Sequence, residues 1–150
     1  MIRIWYHYNM RLINRNTDYA VRALSYIARQ KEKVVSVSEL VSELKMPRPF
    51  LRKILQVLNK EGLLKSYKGS GGGFSLAKAR DKIFLFDLIK TLQGPVKFNE
   101  CIFRKSFCPD VKNCALKKKI EEIEKYVVSQ LQSITIASLC DNGCKEGAAC

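Results

Sequence analysis

Residues 36–76 read SVSELVSELKMPRPFLRKILQVLNKEGLLKSYKGSGGGFSL, and this stretch contains most of the signals for the fold. It opens on Ser36 and Glu39, which are spaced as a capping box and predict the start of a short helix. After a tight turn, apolar residues recur at helical spacing over 48–60, and Gly62 is placed to end that second helix. Two short helices joined by a tight turn predict a helix-turn-helix.

The second helix has a polar, basic outer side. Arg48, Arg52 and Gln56 recur at intervals of four, with Lys53 beside them. Because arginine bonds both acceptors of guanine and glutamine pairs with adenine, this side suits the major groove of duplex DNA. We predict that Arg52 reads a base and that Arg48 reads a base or binds a phosphate. Ser38, in the first helix, is a further candidate contact. The opposite side is predicted to face the core through Phe50, Leu51, Ile54, Leu55 and Leu58.

A β-hairpin with a glycine-rich tip is predicted directly after the second helix. Residues 63–67 and 74–77 have strand character and flank the tip at 68–73. Such a hairpin is the wing of a winged helix-turn-helix, and residues without a Cβ allow it to approach a DNA backbone or minor groove closely. The glycine run is not followed by Gly-Lys-Ser or Gly-Lys-Thr, which argues against a nucleotide-binding loop. The candidate contacts at the tip are Lys68, Gly71 and Gly72.

The fold is therefore predicted to be mainly helical, with the small hairpin as its β element. An earlier helix over 17–30 is predicted, with Thr17 or Asp18 as its cap. A last helix of the domain stops at Gly94-Pro95. The predicted segments are a winged helix-turn-helix DNA-binding domain at 10–94, a cysteine-rich loop at 95–114, a dimerisation helix at 115–139 and a flexible tail at 140–150.

The charge of the chain favours a polyanionic partner. The formal net charge is +13, and between Lys45 and Lys82 ten basic residues face two acidic ones. This concentration points first to double-stranded DNA and second to an acidic membrane surface. No apolar stretch approaches the ~18 residues that a membrane span needs, and the N-terminus lacks the pattern of a secretory signal. The sequence therefore predicts a cytoplasmic protein whose six cysteines are reduced thiols or metal ligands, and not a disulfide framework.

A single apolar stripe marks the predicted helix at 115–139. Because few residues follow it that could cover the stripe, we expect it to pack against a partner subunit and form a homodimer. The alternative is that the helix folds back onto its own domain. Asn113 is placed to cap it. The stripe consists of Leu116, Ile120, Ile123, Val127, Leu131 and Ile134.

All six cysteines lie after residue 100, and three of them form the sharpest chemical motif. Cys101, Cys108 and Cys114 are separated by six and five residues. Thiolates are soft ligands that suit iron–sulfur clusters or zinc, although zinc would need a fourth ligand and favours closer cysteine pairs. Cys114 is expected in the first helical turn, where the helix dipole stabilises negative charge on sulfur. The alternative is three unrelated thiols buried as small apolar groups.

The chain resembles the Rrf2-type winged-helix regulators, which include IscR-like and NsrR-like iron–sulfur proteins. The resemblance runs from Met10 to about Leu139 and rests on the segment 17–24, the wing at 68–74 and the three cysteines before a long helix. It implies a homodimer with a 2Fe–2S or 4Fe–4S cluster between the subunits. One gap between the cysteines is a residue longer than the family usually has, so the loop geometry is expected to differ.

The fourth ligand of such a cluster differs between the subgroups. The position of the IscR-type histidine is occupied by Lys117, so the resemblance does not support histidine ligation. Asp18 matches the aspartate of the NsrR type, which responds to nitric oxide, and would reach the partner's cysteine loop. The alternative is that Asp18 only caps its helix and interacts with the dipole.

We therefore predict a transcriptional regulator, a repressor, and not an enzyme. Its operator affinity would be controlled by an iron–sulfur cluster that senses nitric oxide, redox state or iron–sulfur status. One alternative is a regulator of the same fold without a cluster, controlled by a partner protein or by thiol oxidation. Another is a small redox protein, which would leave the wing and the basic segment unexplained.

Overall fold

The structure is a computed structural model, and it describes residues 11–30, 33–98 and 113–142. The prediction of a mainly helical fold with a small hairpin is confirmed. The elements are the helices α1 (Arg15–Arg29), α2 (Val37–Leu44) and α3 (Arg48–Lys60), the strands β1 (Leu64–Tyr67) and β2 (Gly73–Leu76), a 3-10 turn (Arg80–Lys82), and the helices α4 (Leu85–Gln93), α5 (Ala115–Ser133) and α6 (Ile136–Asn142).

The helix α1 begins earlier than the sequence predicts. Asn14 is its N-cap, and its side-chain oxygen accepts a hydrogen bond of 2.9 Å from the backbone nitrogen of Thr17. The prediction that Thr17 or Asp18 caps this helix is wrong, because both already lie inside the first turn. Thr17 is fully buried there, which removes it from a capping role at the surface.

Ser36 starts α2 as predicted, but the capping box is only half formed. The Ser36 hydroxyl oxygen accepts a hydrogen bond of 3.1 Å from the backbone nitrogen of Glu39. The Glu39 carboxylate instead accepts a hydrogen bond of 3.0 Å from the Tyr26 hydroxyl, which ties α2 to α1. Burial and this hydrogen bond raise the pKa of Tyr26 to about 12.

The helix α3 has the predicted bounds and buries most of its predicted core face. Leu51, Ile54, Leu55 and Leu58 are buried, whereas Phe50 is 58% exposed, which corrects its assignment to the core. Phe50 lies about 100° around the helix from Leu51, at the edge of the buried arc, so the core cannot cover it. The helix is followed by Gly62 at φ 69°, as predicted.

The wing is an antiparallel hairpin in which Leu64 pairs with Leu76 and Tyr67 with Gly73. Val35 extends the hairpin on its other edge, because its backbone nitrogen donates to the Phe74 carbonyl at 2.9 Å and its carbonyl accepts from the Phe74 nitrogen at 2.8 Å. A Cβ on Gly73 would lie 2.2 Å from the Val35 carbonyl oxygen. This glycine is therefore required by the fold itself, and not only by an approach to DNA.

The predicted helix at 115–139 is two helices. The first ends at Ser133, because the next residues pair with the chain that follows the wing. The Leu85 nitrogen donates to the Ile134 carbonyl, and the Ile136 nitrogen donates to the Ile83 carbonyl, both at 2.9 Å. These backbone pairings replace the hydrogen bonds that would have continued the helix.

The helix α6 belongs to the core of the N-terminal domain. Ile136 is fully buried in the same cluster as Leu24 of α1 and Leu55 of α3. The Cys140 sulfur lies 3.7 Å from the Ser25 carbonyl oxygen. The core thus extends past the predicted boundary at residue 94, and Cys140 lies in a helix, where a flexible tail was predicted. Residues 143–150 lie outside the described part of the chain.

Candidate nucleic-acid interface and cysteine segment

A surface groove runs between α3 and the wing, and we call it the reading groove. It is lined by the start of α2, the outer side of α3 and the inner side of the hairpin. The backbone–backbone pairing of Val35 with Phe74 places the start of α2 beside the wing. Six of the eight predicted DNA-contacting residues line this groove: Ser38, Arg48, Arg52, Gln56, Lys68 and Gly72.

Two of the predicted contacts, Lys53 and Gly71, do not line the reading groove. Both are exposed. Lys53 follows Arg52 by one residue and therefore lies about 100° further around α3. Gly71 has φ 78° and sits at the outer end of the hairpin. Their assignment as DNA contacts stays a prediction.

The cations of the reading groove are available to an anionic partner. Arg48, Arg52 and Lys68 are exposed. Among the residues that the structure describes, the ion pairs involve other cations, and none joins these three to a carboxylate. Their positive charge is therefore not neutralised by carboxylates of the described residues, and it is available to bind phosphate.

Cys114 caps α5, where Asn113 was predicted to do so. The Cys114 sulfur accepts a hydrogen bond of 3.4 Å from the backbone nitrogen of Lys117. Its sulfur therefore lies at the positive end of the helix dipole, which stabilises negative charge. Cys101 and Cys108 lie outside the described residues, so their convergence with Cys114 stays a prediction. Within the described ranges, no three side chains of His, Cys, Asp and Glu are grouped to hold a metal ion.

Asp18 lies in the first turn of α1 and is accessible. Its carboxylate forms an ion pair of 3.1 Å with Arg22, one helical turn later, and its side chain is 46% exposed. The position is compatible with the dipole interaction and with ligation of a group outside this protomer. Its role as a ligand stays a prediction.

The apolar stripe of α5 is divided between two environments. Leu131 is buried against Leu85 and Ile89 of α4, and Val127 packs onto the same cluster. Leu116 and Ile123 are 66% and 52% exposed. The C-terminal half of the stripe thus folds back on its own domain, which was the alternative interpretation, while the N-terminal half remains uncovered in the protomer. None of the described helices is both long enough and apolar enough to cross a bilayer.

Comparison with known proteins identifies the family. A profile of the Rrf2 family, described as iron-dependent transcriptional regulator, matches residues 13–142. The chain belongs to the Rrf2 family. A relative named as an HTH-type transcriptional regulator of Aquifex aeolicus is 36% identical over 123 residues, which are 81% of this chain and 85% of the relative. This Rrf2 protein is therefore a transcriptional regulator and not an enzyme.

Solved structures of Rrf2 proteins share the fold. CymR, the global cysteine regulator of B. subtilis, superposes with a TM-score of 0.76 at 24% identity, covering 89% of this chain and 99% of CymR. IscR of T. potens superposes with a TM-score of 0.68 at 27% identity, covering 89% of this chain and 88% of IscR. The predicted winged helix-turn-helix is thereby confirmed.

The sequence analysis of this Rrf2 protein did not place every polar side chain of the reading groove there. Asn59, Ser66 and Tyr67 also line it. The Asn59 side-chain amide donates a hydrogen bond of 2.8 Å to the Leu64 carbonyl and so anchors the wing to α3. The alternation of β1 places Ser66 on the same side as buried Leu64, a signal that the sequence did contain. The sequence gives no such signal for Asn59, because its hydrogen bond to Leu64 depends on how the wing packs against α3.

Proposed function

We propose that this Rrf2 protein is a homodimeric cytoplasmic repressor whose operator affinity is controlled by an iron–sulfur cluster. The observation that carries the proposal is the placement of α5. Cys114 caps its first turn, its exposed apolar half follows, and its last residues lead into Ile134, which is hydrogen-bonded to the chain after the wing. One helix thus connects a candidate cluster ligand, a candidate dimer interface and the DNA-binding domain.

The reading groove would engage a duplex operator through α3 and the wing. Arg52 and Gln56, on the outer side of α3, would read base edges in the major groove. Arg48, at the start of the same helix, would bind a phosphate. Lys68 and the wing tip would contact the neighbouring backbone or minor groove. Lys53 would add a phosphate contact beside the groove.

The exposed half of α5 would form the dimer interface. Leu116 and Ile123 present apolar surface on one side of a helix, with half-buried Ile120 between them. A two-fold axis beside this side would bury the same residues from both subunits. It would also place two reading grooves for the half-sites of a pseudo-palindromic operator.

The residues that would hold the cluster are Cys101, Cys108 and Cys114, with Asp18 of the partner subunit as the fourth ligand. The donor set fits, because thiolates are the usual ligands of iron–sulfur clusters and Cys114 lies where the α5 dipole favours an anionic group. The iron-dependent description of the family profile supports the same assignment. A bound cluster would supply iron that reacts with nitric oxide or oxidants. Ligation by Asp18 would compete with its ion pair to Arg22.

The segment 134–136 would carry the signal to DNA. Its backbone pairs with 83–85, which come shortly after β2 of the wing. A change at Cys114 that shifts α5 would therefore shift the start of α4 and the chain that connects it to the wing. Coupling of this kind changes affinity by ~1–3 kcal/mol.

The test is anaerobic purification of the wild type and of a variant with Cys101, Cys108 and Cys114 all replaced by alanine. The wild type is expected to be coloured and to contain iron and sulfide, and to change its operator affinity on exposure to nitric oxide or oxygen. The triple variant should lack iron and give one affinity under all conditions. Cys140→Ala is the control, because Cys140 lies in α6 beside Ser25 and should leave iron content unchanged. Colourless wild-type protein after reconstitution with iron and sulfide would overturn the cluster proposal.

A second candidate function is a regulator without a cluster, controlled by a partner protein or by thiol oxidation. The likeness to CymR, the global cysteine regulator of B. subtilis, favours it. In this case the wild type would contain no iron after reconstitution. Its DNA affinity would change on addition of a partner protein or a thiol oxidant, and the effect of the oxidant would be reversed by a reductant.

A further inference from the structure

The wing has a second, outer side that the reading groove does not use. Along β1 the side chains alternate, so that Ser66 lines the reading groove and Lys65 lines a separate groove on the opposite side. We call this second concavity the outer groove. It continues onto the chain after β2 through Lys78 and Arg80, and onto the segment before Val35 through Lys33.

The outer groove is strongly basic. Four cations line it, and Asp81 is the acidic residue among its lining side chains. Arg80 pairs with Asp141 at 3.4 Å, across two exposed side chains. Lys33, Lys65 and Lys78 are exposed, and the ion pairs found among the described residues involve none of the three. At least three positive charges thus lie along one open surface beside the single carboxylate of Asp81, and none of the three lysines forms an ion pair within the described part of the chain.

The outer groove is continuous with the reading groove. Tyr67, at the end of β1, lines both grooves and is 47% exposed. A duplex seated against α3 and the wing tip therefore passes the edge where the outer groove begins. An aromatic ring at that edge, flanked by lysines, is suited to contact with sugar and phosphate groups.

We propose that the outer groove binds backbone phosphates of the DNA that flanks the sequence read by α3. Lysine side chains bind phosphate as mobile point charges without reading bases, so this contact would extend the footprint on DNA without adding sequence specificity. The occupant is assigned as duplex DNA because of the charge and because the groove adjoins the DNA-binding surface. The proposal rests on DNA binding by the reading groove, and it needs neither the cluster nor the dimer.

The contact has a quantitative signature. Each phosphate that a protein neutralises on duplex DNA adds ~0.9 to the slope of log affinity against log salt concentration. Three lysines engaged at once would thus steepen the slope by between about 2 and 3. This increment should be present only on duplexes long enough to reach the outer groove.

The experiment uses the full chain and two duplexes that carry the same operator, selected from a random pool by the wild-type protein. One duplex is trimmed to the operator, and the other has a further helical turn of unrelated sequence at each end. The test variant carries Lys33→Gln, Lys65→Gln and Lys78→Gln. The control variant removes the same charge elsewhere, with Lys90→Gln, Lys118→Gln and Lys125→Gln, all at exposed positions.

Wild type and control are expected to bind the long duplex more tightly and with the steeper salt slope. The test variant should lose this difference while binding the trimmed duplex with unchanged affinity. Equal weakening on both duplexes, or no weakening on either, would overturn the proposal, provided that circular dichroism shows the variant folded. A competition experiment tests the choice of DNA as occupant, with polyglutamate and unrelated duplex as the two competitors. If polyglutamate abolishes the advantage of the long duplex as effectively as unrelated duplex does, the choice of DNA is overturned. Failure of the wild type to bind the trimmed operator would instead overturn the function of the reading groove.

Discussion

The hydroxyl group of Thr17 donates a hydrogen bond of 3.0 Å to the side-chain oxygen of Gln93, which joins the start of α1 to the end of α4. The same oxygen accepts from the Asn14 backbone nitrogen at 3.0 Å, and the Gln93 amide nitrogen donates to the Leu12 carbonyl at 2.8 Å. One glutamine thus fixes the turn of α1 that carries Asp18. It lies directly before the residues that lead to the cysteine segment.

Replacing Gln93 with alanine should lower the free energy of unfolding by ~1–3 kcal/mol, because the buried Thr17 hydroxyl loses its partner. Urea denaturation followed by circular dichroism measures the change. Gln132→Ala, at an exposed position of α5, serves as the matched control and should shift stability by less than about 0.5 kcal/mol. Equal midpoints for the two variants would show that the Gln93 hydrogen bonds do not stabilise the fold.

Arg52→Ala should weaken operator binding by ~1–3 kcal/mol and relax base preference at one position of each half-site, because Arg52 lines the reading groove. Lys53→Ala removes the same charge from the next residue, which lies outside the groove. It should weaken all duplexes uniformly and by less. Titration of fluorescent duplexes with single base changes distinguishes the two, and identical specificity profiles would argue against base reading by Arg52.

Gly73→Ala should destabilise the protein by on the order of 3 kcal/mol, because its Cβ would lie 2.2 Å from the Val35 carbonyl and force the wing away from the start of α2. Gly71→Ala is the comparison. It has φ 78° but open space around the added methyl, so only backbone strain of about 1 kcal/mol is expected. Thermal unfolding of both variants measures the difference, and a Gly73 variant as stable as the Gly71 variant would contradict the explanation.

Ile123→Glu should convert a dimer to a monomer, because it places a carboxylate in the exposed apolar half of α5. Ser129→Glu adds the same charge to an exposed position of α5 away from the stripe and should leave the dimer intact. Sedimentation velocity over a range of concentrations reports the outcome. A wild type that is monomeric throughout, or a Ser129 variant that dissociates equally, would remove α5 as the interface.

Much of the DNA-binding domain could be predicted because its signals are local. Ser36 caps α2 by accepting a hydrogen bond from the backbone nitrogen of Glu39, only three residues later. Gly62 follows α3 at a positive φ, which glycine tolerates. The spacing of Arg48, Arg52 and Gln56 placed them on one side of α3, and the fold brings that side to the wing. Interactions within a few residues depend little on the rest of the chain, so the sequence alone predicts them.

The errors share a different cause. Asn14, and not Thr17, caps α1 because the core buries Thr17 and Gln93 arrives from a distant helix. Phe50 has the polarity of a core residue, but the core is not wide enough to cover the edge of α3 where it lies. In both cases the deciding contact comes from packing between elements, which local patterns do not encode.

The clearest division between sequence and structure lies at 115–139. The periodicity of this segment predicts that most of its residues are helical and that one side of the helix is apolar, because that pattern depends only on 3.6 residues per turn. The packing of distant segments ends the helix at Ser133, brings Ile136 into the core of the DNA-binding domain, and leaves Leu116 and Ile123 exposed. Backbone groups at 134–136 find partners at 83–85. These long-range backbone hydrogen bonds replace those of a continued helix. They cannot be predicted from the segment 115–139 alone, because their partners lie elsewhere in the chain.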